Sequence, residues 1–221
     1  MNEQLKIAII GGTGDLGSGL AKRWAAAGHS VIVGSRSKEK AQSLATALSS
    51  ELGVRLTGDN NAAAAAASDI VVIAVPYGSH ASTLEEISGV VAGKIVVDAV
   101  VPLVPPKVAT VQLPRDGSAA QEAARILGPS TTLVSAFHNV GASKLHAGQP
   151  IDCDVLVFGD DKISKEIVVR LAEAIGSRGI DAGSLANSAA AEAMTSVLIG
   201  INRRYKVNGA GVSITGIAKT A

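Results

Sequence analysis

The residues whose spacing could do chemistry stand near the N-terminus. Gly12, Gly14 and Gly17 form G-x-G-x-x-G within Gly11-Gly12-Thr13-Gly14-Asp15-Leu16-Gly17. The run follows an almost unbroken apolar stretch, Leu5–Ile10, and opens a helical pattern from Leu16 to Ala27 that Gly28 stops. In that strand–turn–helix setting each glycine has a physical reason. Gly12 allows the tight turn, Gly14 lets backbone approach a pyrophosphate, and Gly17 lets the helix sit on the strand. The helix start adds unpaired N–H groups and a partial positive charge. The bland alternative is a glycine-rich turn that binds nothing.

A second apolar strand, Val31-Ile32-Val33, ends at Gly34-Ser35-Arg36, with Lys38 and Lys40 just beyond. A site for NAD usually puts Asp or Glu there, to accept the ribose 2′-OH. A carboxylate would repel a 2′-phosphate, whereas a guanidinium grips it with two parallel charge-assisted hydrogen bonds. NADP is therefore the expected dinucleotide. A solvated cationic helix start is the alternative, but it sets positive charge against the helix dipole.

Other candidates are few. None of His29, His80, His138 and His146 is spaced from cysteine or carboxylate as metal ligands are, so no metal site is expected. His29 reads as a cation behind the helix-ending Gly28, and His146 falls in a short helix without a partner in sequence. His80 and His138 each follow the C-terminal end of a strand, where ligands of open parallel sheets bind. Each reads equally well as structural; His138 is the more suggestive, because Phe137 flanks it in an aromatic-poor chain. Asp98 ends a strand and reads first as a cap of the next segment, second as an acid or base. Glu85 and Glu86 are helical neighbours that point apart, so they make no carboxylate dyad. Asp160-Asp161 introduce a helix. Trp24 lies well past the loop and reads as packing rather than as a nicotinamide stack. There is no G-x-S-x-G, and Cys153 has no reactive context. No residue is assigned a catalytic role. A nicotinamide cofactor does hydride chemistry itself, and the protein mainly positions the reacting partner.

Alternating strands and helices position these residues. After Arg36, Lys38–Glu51 reads as a helix and Val54–Thr57 as a short third strand. Asn60 or Asn61 then caps a helix of six consecutive alanines. Asp69–Val75 is a buried strand that ends at the ligand-facing loop Pro76-Tyr77-Gly78-Ser79-His80. Ala81–Val91 is helical, and Lys94–Val97 is a strand that delivers Asp98 and the proline-rich loop Val101–Pro106. Gly117–Leu127 is helical, Thr132–Ala136 a strand, Cys153–Phe158 a strand and Ser164–Ser177 an amphipathic helix. Gly179–Ala182 is a short strand, and Asn187–Tyr205 a last long helix with Met194, Val197, Leu198 and Ile201 on one face. The tail from Asn208 is loop-like. The alternation implies an α/β fold, a Rossmann-type doubly wound parallel sheet with a small C-terminal α/β domain. A soft boundary near Gly148-Gln149-Pro150 separates residues 1–150 from 151–221.

Length and composition agree. The chain has 221 residues, of which 47% are apolar but only 2% aromatic, so the core must be built from Ala, Val, Ile and Leu. That suits helices lying close on a parallel sheet. A net charge of +1 argues against nucleic acid or an anionic membrane as partner. One cysteine, Cys153, makes no internal disulfide and points to the cytoplasm. Met1–Lys6 is too short and polar for a signal peptide, and no stretch is long and apolar enough to span a bilayer.

These features together resemble the NADPH-dependent reductases of the deazaflavin coenzyme F420. The resemblance rests on Ile9–Gly17, Gly34-Ser35-Arg36 with Glu39-Lys40-Ala41, Val75-Pro76-Tyr77, Lys94–Val97, Val134–His138, Gly159-Asp160-Asp161 and Asp181–Ser188, in the family's order over nearly the whole chain. It implies hydride transfer between NADPH and F420 by a homodimer. It implies that Thr13, Gly14, Asp15 and Leu16 bind the dinucleotide, and that Ser35, Arg36 and Lys40 hold its 2′-phosphate. Tyr77, Ala81, Leu103 and Ala142 would line the nicotinamide. His138, Val140 and Ser213 would border the deazaflavin, with residues 151–221 facing it and contributing to dimerisation. The chain departs from the family pattern at Tyr77-Gly78-Ser79-His80, one residue longer, and at Asp98, where a small or hydroxyl residue occurs. An NADPH-dependent imine or keto-acid reductase shares the fold's opening but has more C-terminal helix or a recognisable proton donor. A non-enzymatic NADP-binding redox sensor is the remaining reading.

Overall fold

The computed structural model describes residues 4–148 and 151–217. The expected boundary at residues 148–150 and the first three residues of the polar N-terminus fall partly or wholly outside that set. Eight strands form one sheet: β1 (Lys6–Ile10), β2 (Ser30–Ser35), β3 (Thr57–Asn60), β4 (Ile70–Ile73), β5 (Ile95–Asp98), β6 (Thr132–Ser135), β7 (Asp154–Gly159) and β8 (Arg178–Asp181). Their order is β3-β2-β1-β4-β5-β6-β7-β8. The first six are parallel, with the strand order reversing beside β1, as in a doubly wound Rossmann sheet. β7 then runs antiparallel beside β6, pairing Val134 with Gly159 and Ser135 with Phe158, and β8 is parallel to β7.

Alternation builds two cores from one sheet. Successive side chains of a strand point to opposite faces. Ile7 and Ile9 of β1 therefore enter one apolar cluster with Val31, Val33, Val72 and Val97. Ala8 and Ile10 enter the other, with Ile32, Val71, Ile73 and Val96. The first face is covered by α1 (Asp15–Ala26), α2 (Lys38–Leu52) and α7 (Lys162–Ala174) through Leu20, Trp24, Ala41, Leu48 and Leu171. The second is covered by α3 (Asn61–Ala66), α4 (His80–Ile87) and α5 (Ala119–Leu127) through Ala64, Leu84, Ile87 and Ala123. Trp24 is fully buried in the first core, as its position suggested. Its indole N–H donates to the Leu171 carbonyl at 2.9 Å, and its ring meets Phe137 edge-on at 5.5 Å.

The alanine run is a tight crossover. Asn60 caps α3 by accepting from the Ala63 N–H at 2.8 Å. The ammonium of Lys94, at the foot of β5, closes its other end by donating to the carbonyls of Ala65, Ala66 and Ser68 at 2.6–2.8 Å. The third strand lies three residues later than its apolar residues suggest. Val54 is exposed, and Leu56 is held by the Ser49 hydroxyl before β3 begins. β3 is an edge strand, and Gly58 sits so close to α2 that a Cβ there would be 2.3 Å from the Ala41 carbonyl carbon. Backbone pairing and that close approach, rather than apolar side chains, define the strand.

Two helices remain. α6 (Ala142–His146) packs on α1, where the Arg23 guanidinium donates to the carbonyls of Lys144 and Leu145 at 2.8 Å. α8 (Ser188–Tyr205) lies over α5 and β7. The tail after α8 returns to the sheet. Gly209 stands against Gly141, Gly211 against Cys153, and Arg178 forks onto Asp154 while also donating to the carbonyls of Ile214 and Ile217.

Candidate dinucleotide site

The glycine crossover is shaped by contacts on three sides. The N–H of Gly12 donates to the Gly34 carbonyl of β2 at 2.9 Å and to that of Ile9 at 3.1 Å. The left-handed residue of the turn is Gly11, at φ +76°, and not Gly12 as the motif suggests. A Cβ on Gly11 would lie 2.6 Å from Val75, and one on Gly17 would lie 2.8 Å from the Gly11 carbonyl oxygen. Gly14 differs. At φ −79° it has an ordinary conformation, and a Cβ there meets only the Gly11 carbonyl oxygen at 3.4 Å. No protein atom demands glycine at this position, yet the residue caps α1 without a side-chain bond and faces a cavity. Backbone kept bare at a helix N-terminus is what a phosphate needs.

That cavity, about 460 Å³, is the centre of the site. It brings together Thr13, Gly14, Ser35, Arg36 and Lys40, five of the expected nucleotide-binding residues. Its other walls are Gly11, Ser37, Asn61, Ala74, Val75, Pro76, Ser79 and Thr83, from the ends of β1, β2, β3 and β4 and from α4. The cations divide by role. Lys38 pairs with Asp59 at 3.0 Å, and its hydrogen bond holds that carboxyl below the usual range. Arg36 and Lys40 enter no ion pair among the described residues. Ser37 caps α2 by accepting from the Lys40 N–H at 3.3 Å, which sets the helix N-terminus beside them. Two free cations and a helix start around one corner suit a dianion.

Asn61 is a wall residue that sequence spacing does not reveal. It is 1% exposed, its amide donates to Glu86 at 3.3 Å, and its Oδ1 has no partner among the described residues. A buried acceptor without a donor costs about 1–3 kcal/mol, a cost carried by the residue that follows β3 in the cavity wall. The donor set and the bare helix start fit NADP.

The other expected residues lie around the cavity rather than in its lining. Asp15 and Leu16 form the first turn of α1. Tyr77 belongs to a 3-10 turn, Tyr77–Ser79, and its hydroxyl donates to Glu122 at 3.2 Å; burial, then the Glu122 charge, pushes the phenol up to about 12. Ala81 is in the first turn of α4, Leu103 in the loop after β5, and Ala142 begins α6; all three are part-exposed. His138 and Val140 are buried in the turn after β6. The His138 ring nitrogen Nε2 is 2.8 Å from the Ser135 hydroxyl, and burial lowers its pKa to about 4, so the imidazole is neutral at pH 7. Phe137 beside it has φ +68°, a costly conformation for a bulky side chain. α8 holds the turn there: Asn139 donates to the Ala191 carbonyl and to Thr195, and Thr195 donates to the His138 carbonyl at 3.0 Å. Ser213 is exposed in the tail and lines a separate cavity of about 310 Å³ with Cys153, Asp154 and Arg178.

A buried polar cluster joins these loops. His80, which stands alone in the sequence, donates from Nε2 to Asp98 at 2.9 Å, and both are buried. Asp98 also accepts from the Val100 N–H at 3.0 Å, so it is the expected cap and an ion-pair partner at once. Glu192 of α8 accepts from the first N–H groups of α5, Ala119 at 2.6 Å and Ala120 at 3.2 Å. Burial, against those bonds, pushes its carboxyl up to about 7. The sequence signal for Glu192 is a lone acid within an alanine-rich stretch of an otherwise apolar-faced helix. For His80 and Asp98 it is their places after adjacent parallel strands.

Known proteins resemble this chain along nearly its whole length. The family model for NADP oxidoreductase, coenzyme F420-dependent, matches residues 6–102. An F420-dependent NADP reductase of Methanothermobacter thermautotrophicus is 42% identical, with 96% of each chain aligned. The enzyme of the same name from Methanocaldococcus jannaschii is 41% identical over 96% of this chain and 99% of its own. A crystal structure from Arthrobacter sp. FB24, of a protein provisionally described as an F420-dependent NADP reductase, superposes with a TM-score of 0.80 at 27% identity. It covers 96% of this chain and 99% of that one.

The contrast between two glycines is open to experiment. Gly14→Ala should melt within about 2 °C of the wild type, since its methyl meets no backbone closer than ordinary contact, yet lose about tenfold or more in dinucleotide affinity. Gly17→Ala should lose stability first. Calorimetry and a fluorescence titration with NADPH distinguish them; equal effects of the two substitutions on melting would remove the ligand-facing role of Gly14.

Proposed function

The chain belongs to the family of coenzyme F420-dependent NADP oxidoreductases, and from that premise we propose that it passes hydride, reversibly, between NADPH and F420. The observation that carries the cofactor half is the pair of unpaired cations, Arg36 and Lys40, in the cavity at the end of β2, where Ser35 stands in place of an acid. When bound, the two coenzymes supply the chemistry: a nicotinamide C4 and a deazaflavin carbon that exchange hydride. What remains for the protein is to hold them with those carbons about 3–3.5 Å apart and to keep water away.

The residues divide that work. Thr13, Gly14, Asp15 and Leu16 offer the N–H groups of the α1 start to the pyrophosphate. Arg36 grips the 2′-phosphate with Ser35 and Lys40. Tyr77, Ala81, Leu103 and Ala142 border the nicotinamide. His138 and Val140, with Ser213 of the tail, border the deazaflavin; a neutral imidazole there, its Nε2 engaged by Ser135, adds no charge beside a hydride. Residues 1–150 carry the dinucleotide and residues 151–221 face the deazaflavin, a division supported by the bonds from α8 to the His138 turn.

The active form in this reading is a cytoplasmic homodimer. α8 supports it: Met194, Val197 and Tyr205 are exposed along one side, with Ile201 part-exposed between them. Among the described residues no helix is long and apolar enough to cross a membrane; in this reading a second copy of the chain covers that side.

Each part of this reading has its own measurement. Arg36→Ala should weaken NADPH binding about 10- to 100-fold and NADH binding by less than about twofold; equal losses in parallel titrations would discard the assignment. His138→Ala should lower turnover with F420 while NADPH affinity stays within about twofold, and unchanged rates would make His138 scaffolding. Val197→Glu should shift the chain from dimer to monomer in sedimentation velocity. A wild-type monomer at micromolar concentration would count against the dimer directly.

A further inference from the structure

We infer that the buried His80–Asp98 pair is a positioning device for the nicotinamide half of the dinucleotide, a latch that fixes the Pro76–Ser79 wall of the cavity to the end of β5. The inference rests on the NADP reading of the cavity and adds two residues that touch no part of it.

The geometry is specific. His80 is the first residue of α4 and comes directly after the 3-10 turn that carries Ser79, a cavity-lining residue. Its Nε2 donates to one carboxylate oxygen of Asp98 at 2.9 Å, while the other oxygen accepts from the Val100 N–H. The carboxylate is thus oriented by the loop that leads to Leu103, and the imidazole by the loop that leads from Val75. Asp98 also pairs with Ile73 across the strands, and its carbonyl accepts from the Ala136 N–H at 3.0 Å, next to the His138 turn. One contact therefore ties the exits of β4 and β5 together, on the path from the phosphate corner to the nicotinamide-facing loops.

An apolar pair could also have joined two loops, but this one sets an imidazole against a carboxylate where charge is expensive. Both side chains are 1% exposed. An imidazolium at a helix start opposes the dipole, and an unpaired carboxylate in this interior would be costly. The charges facing His80 come from three elements: Asp98 on β5, Glu122 on α5 with its Oε2 3.9 Å from Nδ1, and Glu192 on α8. Tyr77 faces it as well, with ring centres 6.2 Å apart, and donates to the same Glu122 oxygen. Burial pulls the imidazole down, and Asp98, then Glu122 and Glu192, more than offset it, so the pKa is raised. A raised pKa means the charged latch is complete below that value and weakens as pH climbs through it. Nδ1, which has no hydrogen-bond partner, leaves the ring held by the Asp98 bond.

The test separates the two halves of the ligand. Dissociation constants of NADPH and of 2′,5′-ADP, which occupies only the phosphate corner, are measured on the full chain between pH 7 and 9. In the wild type NADPH affinity should fall about tenfold over that range, while 2′,5′-ADP changes less than about twofold. Asp98→Asn keeps the bond to Val100 but removes the charge. It should bind NADPH about tenfold more weakly at pH 7, show a flat profile to pH 9, and hold 2′,5′-ADP as before. If that variant does not fold, the double variant His80→Gln with Asp98→Asn replaces the charged pair by two amides and should give the same flat profile. A flat wild-type profile overturns the latch, as does a variant that loses both ligands by the same factor or keeps the wild-type pH dependence. A wild type that does not hold 2′,5′-ADP at all would instead sink the NADP reading.

Discussion

The site depends on how closely four strand ends and one helix approach at the first crossover. Gly12 bonds to β2, Gly11 lies within contact of the residues after β4, and Gly17 lets α1 touch the turn itself. Any side chain at Gly11 or Gly17 would overlap backbone or the part-buried Val75. Remove that closeness and α1 moves off the sheet, taking with it the row of N–H groups that faces the cavity. The cation corner depends on the same approach, because Gly34, whose carbonyl receives the Gly12 N–H, is succeeded at once by Ser35 and Arg36.

Around this corner the protein solves a second problem: it buries polar groups in an interior with few aromatic rings. The polar groups concentrate at the C-terminal ends of β5 and β6 and on the helices facing them, as His80, Asp98, Ser135, His138, Asn139 and Glu192. Most are matched. Glu192 meets the open N–H groups of α5, His138 meets Ser135, and Asn139 meets α8. Two buried side-chain atoms without partners among the described residues, Oδ1 of Asn61 and Nδ1 of His80, belong to the cavity wall and to the residue just behind it. Matched polar interiors are rigid, and rigidity at the strand ends is what a reaction governed by distance requires.

Local features are the legible ones. The glycine loop, the Ser35-Arg36 ending and the Asn60 cap each depend on neighbours within a few residues, so their chemistry can be read from spacing. Trp24 is readable for the same reason, from its place on the helix. Residues whose meaning lies in strand order are not. Asn61 and Thr83 reach the cavity only because β3 and β4 end on either side of β1 and β2. His80 and Asp98 meet only because β4 and β5 are adjacent in register. Glu192 needs the fold of α8 onto α5. Apolar residues misplace β3 because its pairing uses backbone, with Gly58 chosen for clearance and not for burial.

The clamp on the tail has a consequence for trimming the chain. Every residue lining the dinucleotide cavity lies between Gly11 and Thr83. The turn that carries His138 is instead closed by Ala191 and Thr195 and roofed near Gly141 by Gly209, with Arg178 anchoring the tail at Ile214. Cutting the chain before Ala191 would therefore unfasten the His138 turn while every cavity-lining residue stayed in the sequence.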